Sequence, residues 1–347
     1  MSTFNLNAGN RMRVLITGGA GYIGSLACLA CVRAGYEVCI VDDLSNGYLE
    51  AVGRLRRLSN KKIKFFKNNV CDQKAIDAVF KDFMPDAVIH FAGLKSVEES
   101  LKNPKLYHNV NVGGTHVILK AMDKYGCKKI VFSSSATVYG KPVYLPCDEK
   151  HPTKPINPYG TSKLESEILL EDWANVSNER RAVALRYFNP VGADASGEIG
   201  EHSDGKPNNI MPIIAQAAKG RRSYVNVYGD DYDTFDGTGV RDYIHVTDLA
   251  RAHLRALEEM ESLNSFEKIN IGRGSGISVL EIIQSFEKVS HVKIPVVFSD
   301  RRPGDAPSVW ADVQVSKHKL QFETEFDIEK MCGDVWNWEQ SNPNGYE

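Results

Sequence analysis

The 347-residue chain has no run of about 18 apolar residues, which excludes a transmembrane helix. Met1 to Arg13 is polar and rich in Asn, without the apolar stretch that a secretory signal needs. Neither sign of charge dominates: 42 Lys and Arg face 44 Asp and Glu, a net −2. So even a balance gives no general pull toward nucleic acid or an anionic membrane. Cysteine is sparse and odd in number, seven in all, and Cys28, Cys31, Cys39, Cys71 and Cys127 lie mostly in apolar runs. This argues against a disulfide framework and for reduced thiols in the cytoplasm. Cys28-x-x-Cys31 has no second pair and no His cluster nearby. It reads as two small apolar residues on a buried helix face, with no metal expected.

What is present is ordinary globular material, 42% hydrophobic and 25% charged, enough for two domains at roughly 150 residues each. Apolar runs at Arg13–Thr17, Glu37–Val41, Ile63–Lys67, Asp86–Phe91, Lys129–Ser133 and Ala182–Arg186 predict strands. Between them, helices are predicted at Tyr22–Ala34, Ala75–Phe83, Leu106–Tyr125 and Pro158–Ala174, the last with Asn157 as N-cap and Pro158 at the first position. This alternation predicts an α/β fold with a doubly wound parallel sheet. The second half is less regular. Asp194–Asn209 and Gly229–Gly239 read as loops, Asp242–Val246 and Lys268–Ile271 as short strands, and Asp248–Met260 as a helix between them. Seven Lys or Arg residues between Arg54 and Lys67 read as a solvated loop.

Gly18-Gly19-Ala20-Gly21-Tyr22-Ile23-Gly24 lies between a predicted strand and a predicted helix. It contains Gly19-x-Gly21-x-x-Gly24, where glycines let backbone N–H groups approach a pyrophosphate at a helix N-terminus. Asp42 ends the next strand, where a carboxylate accepts hydrogen bonds from a ribose diol and repels a 2′-phosphate. NAD is therefore favoured over NADP. Tyr159-x-x-x-Lys163 places both side chains on one helix face. A Tyr acting as base at pH 7 needs about 3 units of pKa depression, or about 4 kcal/mol. One ammonium at about 5 Å supplies roughly 3 kcal/mol, so Lys163 nearly suffices, and a cationic nicotinamide could add the rest. Ser133-Ser134-Ser135 ends a strand at the side of the sheet where ligands bind.

These residues, with His90-Phe91-Ala92-Gly93-Leu94-Lys95, resemble the extended short-chain dehydrogenase/reductase family. Four further runs narrow the resemblance to its UDP-glucose 4-epimerase branch: Arg186–Ala193, Pro207–Pro212, Gly237–Val246 and Arg301–Asp305. It extends over about residues 12 to 346 and implies a Rossmann-type sheet with a smaller mixed α/β substrate-binding domain. The implied division is an NAD-binding domain over 12–188 and a mostly UDP-sugar-binding domain over 189–347, with 240–275 returning to the first. The implied reaction oxidises C4 of a UDP-hexose with bound NAD+, turns the 4-ketose and returns the hydride. Tyr159 acts as base, supported by Lys163, and Ser135 hydrogen-bonds the C4 oxygen.

The resemblance also implies contacts. NAD would meet Gly18, Gly21, Tyr22, Ile23, Asp42, Asp43, Asn46, Asn69 and Val70. Toward the nicotinamide it would meet Phe91, Ala92, Gly93, Lys95, Asn111, Ser133, Tyr159, Lys163, Tyr187 and Phe188. The UDP-sugar would meet Lys95, Ser135, Tyr159, Asn189, Asn209, Ile210, Asn226, Tyr228, Arg241, Arg302, Asp305 and Val309. Two Arg residues suit a diphosphate in charge and fork geometry. Asn69 stands where the family usually has Asp, and Thr161 where Lys is frequent. Val309 is intermediate in bulk at a position that bounds the sugar near C2, which leaves N-acetylated sugars open. A 4,6-dehydratase would carry an acidic pair at Ala136 and Thr137. Epimerases for UDP-xylose or a UDP-uronic acid remain open. A silent nucleotide-binding regulator is disfavoured by Ser135, Tyr159 and Lys163. The family expectation is a homodimer built on the Leu106 and Pro158 helices, and mobility in the first 11 residues.

Overall fold

The computed structural model describes residues 11–202, 207, 209–302 and 304–347. Residues 1–10, and with them most of the extension expected to be mobile, lie outside that set. So do 203–206, Asn208 and Pro303 of the quoted loop and motifs. In the first half, β1 (Arg13–Thr17), β2 (Glu37–Asp42), β3 (Lys64–Lys67), β4 (Ala87–His90), β5 (Lys129–Ser133) and β6 (Arg181–Tyr187) pair in parallel. Their connections carry α1 (Tyr22–Arg33), α2 (Leu49–Ser59), α3 (Gln73–Phe83), α4 (Val97–Lys102), α5 (Pro104–Tyr107), α6 (Gly113–Tyr125) and α7 (Pro158–Asn175). All six strands and the α7 cap agree with the sequence reading. The Asn157 side chain accepts from Gly160 N–H at 2.8 Å.

The second half contributes β7 (Asn189–Val191), α8 (Ile210–Ala218), β8 (Val225–Tyr228), β9 (Val240–Arg241), β10 (Tyr243–His245), α9 (Val246–Glu258) and β11 (Phe266–Ile271). It continues with β12 (Ile277–Ser278), α10 (Val279–Ser290), β13 (Val296–Ser299), β14 (Ser308–Val309), α11 (Gln314–Leu320) and α12 (Ile328–Ser341). Strand β11 adds to β6, giving a seven-stranded sheet in the order β11-β6-β5-β4-β1-β2-β3. The order turns back between β1 and β4, and in open α/β sheets such a switch opens a crevice at the strand C-termini.

Strands covered on both faces must be apolar on both. Val14 and Ile16 join Leu26, Leu29 and Leu249 in one core, while Leu15 joins Val79, Ile118 and Leu170 in the other. A third core, with Ile214, Val227, Phe286 and Met331, gathers α8, α10, α12 and β8. Both thiols of Cys28-x-x-Cys31 are buried on α1.

Two expectations are corrected. The predicted helix over Leu106–Tyr125 is interrupted by a turn of π-helix at His108–Val112. The widened turn directs Asn111 inward, where it bonds Leu94 N–H and C=O and the Ser162 hydroxyl. The basic segment from Arg54 is not a solvated loop: as far as Ser59 it is helix α2, which buries Ala51, Val52 and Leu55. Arg54 itself is buried, bonded to the Glu198 carbonyl and the Asn342 side chain, and stacked on Trp338 and Tyr346. Counting charges hid the apolar face of that helix. The helices after residue 209, apart from α9, were not foreseen at all.

Candidate active site

The chain leaves β1 into the glycine turn and re-enters helix at Tyr22. Gly18 has φ +69°, and a Cβ there would stand 2.7 Å from the Ala92 nitrogen. A Cβ on Gly24 would stand 2.1 Å from the Gly18 carbonyl oxygen. The turn is therefore closed to side chains and sits against the β4 loop across the switch point. Gly21 is the N-cap of α1, no side chain caps that end, and no acidic residue occupies its first turn. Unclaimed N–H groups and a positive dipole end fit a phosphate group. Tyr22 reaches back to the Gly192 carbonyl at 2.6 Å, and Ile23 packs against the first core.

Asp42 accepts from Ala20 N–H at 3.0 Å and from Leu44 N–H at 2.9 Å, one on each oxygen. Burial pushes its carboxyl pKa up, and those two bonds oppose the rise. Asp43 accepts from the Asn69 amide at 2.9 Å, and the Asn69 carbonyl accepts from Cys71 N–H at 2.8 Å. The Asn69 side-chain oxygen thus already holds one donor. Asn46 is exposed and Val70 buried along this edge. On the opposite side, Ala92 N–H donates to Thr17 Oγ1 at 3.3 Å, and a Cβ on Gly93 would meet the Asn111 side chain at 2.9 Å.

Beyond β5 lies the group with acid–base character. Lys163 Nζ donates to the Ser133 carbonyl at 2.7 Å, and Ser133 Oγ shares a 2.6 Å hydrogen bond with the Tyr187 hydroxyl. Burial lowers the Lys163 pKa to about 8. Burial raises the Tyr159 phenol to about 12, and the nearby Ser135 hydroxyl opposes the rise. Lys163 Nζ stands 5.8 Å from the Tyr159 ring centre. The expectation that Lys163 alone nearly suffices to lower the phenol is therefore not met: desolvation dominates, and further positive charge is needed. His90 is kept neutral: burial, then the Lys163 charge, holds it at about 3. Thr17 and Thr115 bond its two ring nitrogens at 2.6 and 3.2 Å.

A cavity of about 480 Å³ brings together Asn189, Asn209, Ile210, Asn226, Tyr228, Arg241, Arg302 and Asp305. It also gathers Arg221 and Arg222, which the sequence reading missed. Arg302 lies 3.9 Å from the Tyr228 ring centre, and Arg241 pairs with Asp305 at 3.5 Å. Lys95, Ser135, Tyr159 and Val309 do not line this cavity. Val309 pairs with Arg241 across β14 and β9 and packs on the cluster that holds Phe188. Lys95 and Asn209 both reach Glu201, at 3.2 and 2.9 Å, a residue the sequence reading did not single out. Thr137 follows Ser135 without an acid and donates to its hydroxyl at 3.0 Å.

The family model described as GDP-mannose 4,6 dehydratase matches residues 15–335. UDP-glucose 4-epimerase of Bacillus subtilis (strain 168) is 48% identical over 336 residues, covering 97% of this chain and 99% of that protein. The solved UDP-glucose 4-epimerase from Bifidobacterium longum, in complex with NAD+ and UDP, is 44% identical with a TM-score of 0.92, covering 96% of this chain and 100% of that one. The UDP-Glc/GlcNAc 4-epimerase of Campylobacter jejuni is 36% identical with a TM-score of 0.84, covering 95% and 99%.

Proposed function

The chain belongs to the UDP-glucose 4-epimerases of the extended short-chain dehydrogenase/reductase family, and on that premise we propose that it interconverts UDP-galactose and UDP-glucose by transient oxidation at C4. Bound NAD+ supplies the acceptor and returning donor of hydride for that carbon. The glycine turn and the uncapped end of α1 would hold its pyrophosphate, and Asp42 its ribose diol. Asp43, Asn46, Asn69 and Val70 flank the adenine side. Phe91–Gly93, Lys95, Asn111, Ser133, Tyr187 and Phe188 lie toward the reacting end. The net redox change is zero, so the cycle calls for no exchange of cofactor.

Tyr159 takes the proton of the sugar 4-OH and later gives it back. Ser135 follows the C4 oxygen from alcohol to ketone by hydrogen bonding. Lys163 sets positive charge beside the phenol. Arg241 and Arg302 face the diphosphate, with Asp305 on the uridine ribose and Tyr228 beneath Arg302. The observation that carries this reading is α7, which sets Lys163 Nζ on the Ser133 carbonyl at the end of β5 and Tyr159 one turn before it on the same helix face. Ala136 and Thr137, where a dehydratase would need its acids, favour epimerisation over dehydration. We also assign 12–188 to the NAD half and 189–347 mostly to the UDP-sugar half. The pairing of β11 with β6 supports the return of 240–275 to the first.

Initial rates on UDP-galactose, UDP-N-acetylglucosamine, UDP-xylose and UDP-glucuronic acid test the reading. Turnover of UDP-galactose at the highest kcat/KM is expected, and a preference for xylose or uronate would replace it. The intermediate bulk of Val309 supports the N-acetyl sugar as a further substrate, and no turnover of that sugar would dismiss this extension. Among the described residues no helix is long and apolar enough to cross a membrane. We place the enzyme in the cytoplasm as a homodimer, supported by reduced, mostly buried thiols and by exposed Leu101, Leu106 and Ile168 on α4, α5 and α7.

A further inference from the structure

One buried pair of charges has no part in the scheme above. Glu167 and Arg186 are each 2% exposed. Arg186 Nε donates to Glu167 Oε1 at 2.9 Å and Nη2 to Oε2 at 2.5 Å. Burying such a pair is costly and adds little stability over an apolar pair, so its presence asks for another reason. Its other contacts supply one. Ser134 Oγ donates to Glu167 Oε1 at 2.5 Å, and Arg186 Nη1 donates to the Tyr139 hydroxyl at 3.2 Å. That hydroxyl in turn donates to Asn270 Oδ1 at 2.6 Å. Every one of these contacts falls on, or just behind, the loop that carries Ser135.

Tyr159, Lys163 and Glu167 follow at i, i+4 and i+8 along one face of α7. Two of them hold the serine run directly: Lys163 bonds the Ser133 carbonyl and Glu167 the Ser134 hydroxyl, with Tyr159 one turn earlier. Resting on the epimerase reading, we propose that Glu167, oriented by Arg186, is a positioning residue. It fixes the Ser133–Ser135 loop against α7, and its carboxylate, one helical turn beyond Lys163, favours the ammonium form of that side chain. Other groups facing Lys163 among the described residues are uncharged: Tyr159 on its own helix, His90 on β4, Tyr187 on β6 through Ser133, and the Phe132 ring on β5. Arg186, also on β6, is the other cation and shares that carboxylate. Burial disfavours the Lys163 ammonium and Glu167 opposes that loss.

Steady-state kinetics of the NAD-bound enzyme on UDP-galactose across pH 6 to 10 test the proposal. Ser134→Ala leaves the ion pair intact and removes only the tether. Its kcat is expected to fall about tenfold with KM within twofold, the size of one hydrogen bond to a charged group. In Glu167→Gln the alkaline limb of kcat is expected about one unit lower, because Lys163 gives up its proton more readily without the carboxylate. Wild-type kcat in Ser134→Ala, or an unmoved limb in folded, NAD-bound Glu167→Gln, overturns the proposal and leaves the epimerase reading standing. Should Glu167→Gln not fold, Ser134→Ala decides alone. A wild-type protein that does not epimerise UDP-galactose overturns the functional reading instead.

Discussion

Replacing Lys163 by Met removes a charge while keeping the length of the side chain. Burial places the Tyr159 phenol at about 12, five units above neutral pH, so forming the phenolate at pH 7 costs about 7 kcal/mol. An ammonium 5.8 Å from the ring centre, at an effective dielectric near 20, returns about 3 kcal/mol. Lys163 covers less than half of the cost, and the cationic cofactor must cover most of the rest. Lys163→Met should therefore lower kcat at pH 7 by about 150-fold. Its pH profile should also change shape. Without the ammonium, the rate should climb about tenfold per pH unit through the alkaline range as the phenol ionises unaided. The wild type should instead level off above about pH 8, where Lys163 loses its proton. The assay is UDP-galactose conversion coupled to UDP-glucose oxidation, with NAD content measured after heat release to confirm loading. A loaded variant within threefold of wild type, or one with the wild-type profile, would refute the reasoning.

Tyr159→Phe should lower turnover by several orders of magnitude while NAD and UDP stay bound, and near-normal epimerisation would sink the mechanism. Gly24→Ala drives a Cβ to 2.1 Å from the Gly18 carbonyl oxygen, at an overpacking cost of about 1–3 kcal/mol. It should lower the guanidinium midpoint and the NAD content together, and unchanged values of both would contradict the closed turn. Acid should destabilise the fold through His90 and His253, whose folded pKa values of about 3 and 4 lie below the unfolded 6.5. The unfolded chain binds the extra protons, so stability present above pH 6.5 is lost as pH falls toward 4, by about 2 kcal/mol for each His between pH 7 and 5. Urea midpoints read the loss, and a flat profile over that range would count against buried neutral histidines.

The parallel sheet was legible because strands buried on both faces leave unbroken apolar runs, and Lys129–Ser133 came out with its observed limits. Helix α7 was legible through its cap, with Asn157 and Pro158 acting locally. The proposed trio of Ser135, Tyr159 and Lys163 could be picked out as candidates because Tyr159 and Lys163 share one helix and Ser135 lies at one strand end. Glu167 lies one further turn along the same face, yet only the fold sets it against Ser134 and Arg186. Arg54 misled for the converse reason: its charge looks solvated until Trp338 and Tyr346, far along the chain, close over it. Helices α10 and α12 bury faces against each other, a pairing that no local pattern announces. The Tyr159 pKa reversed the sequence estimate because desolvation belongs to the assembled site and not to a pair of residues.

The central claim is a retained cofactor that returns to its starting state each cycle. The direct measurement is incubation of extensively dialysed protein with UDP-galactose and no added NAD. UDP-glucose should accumulate to equilibrium over many turnovers with no net NADH at the end. No UDP-glucose, with or without added NAD+, would contradict the account.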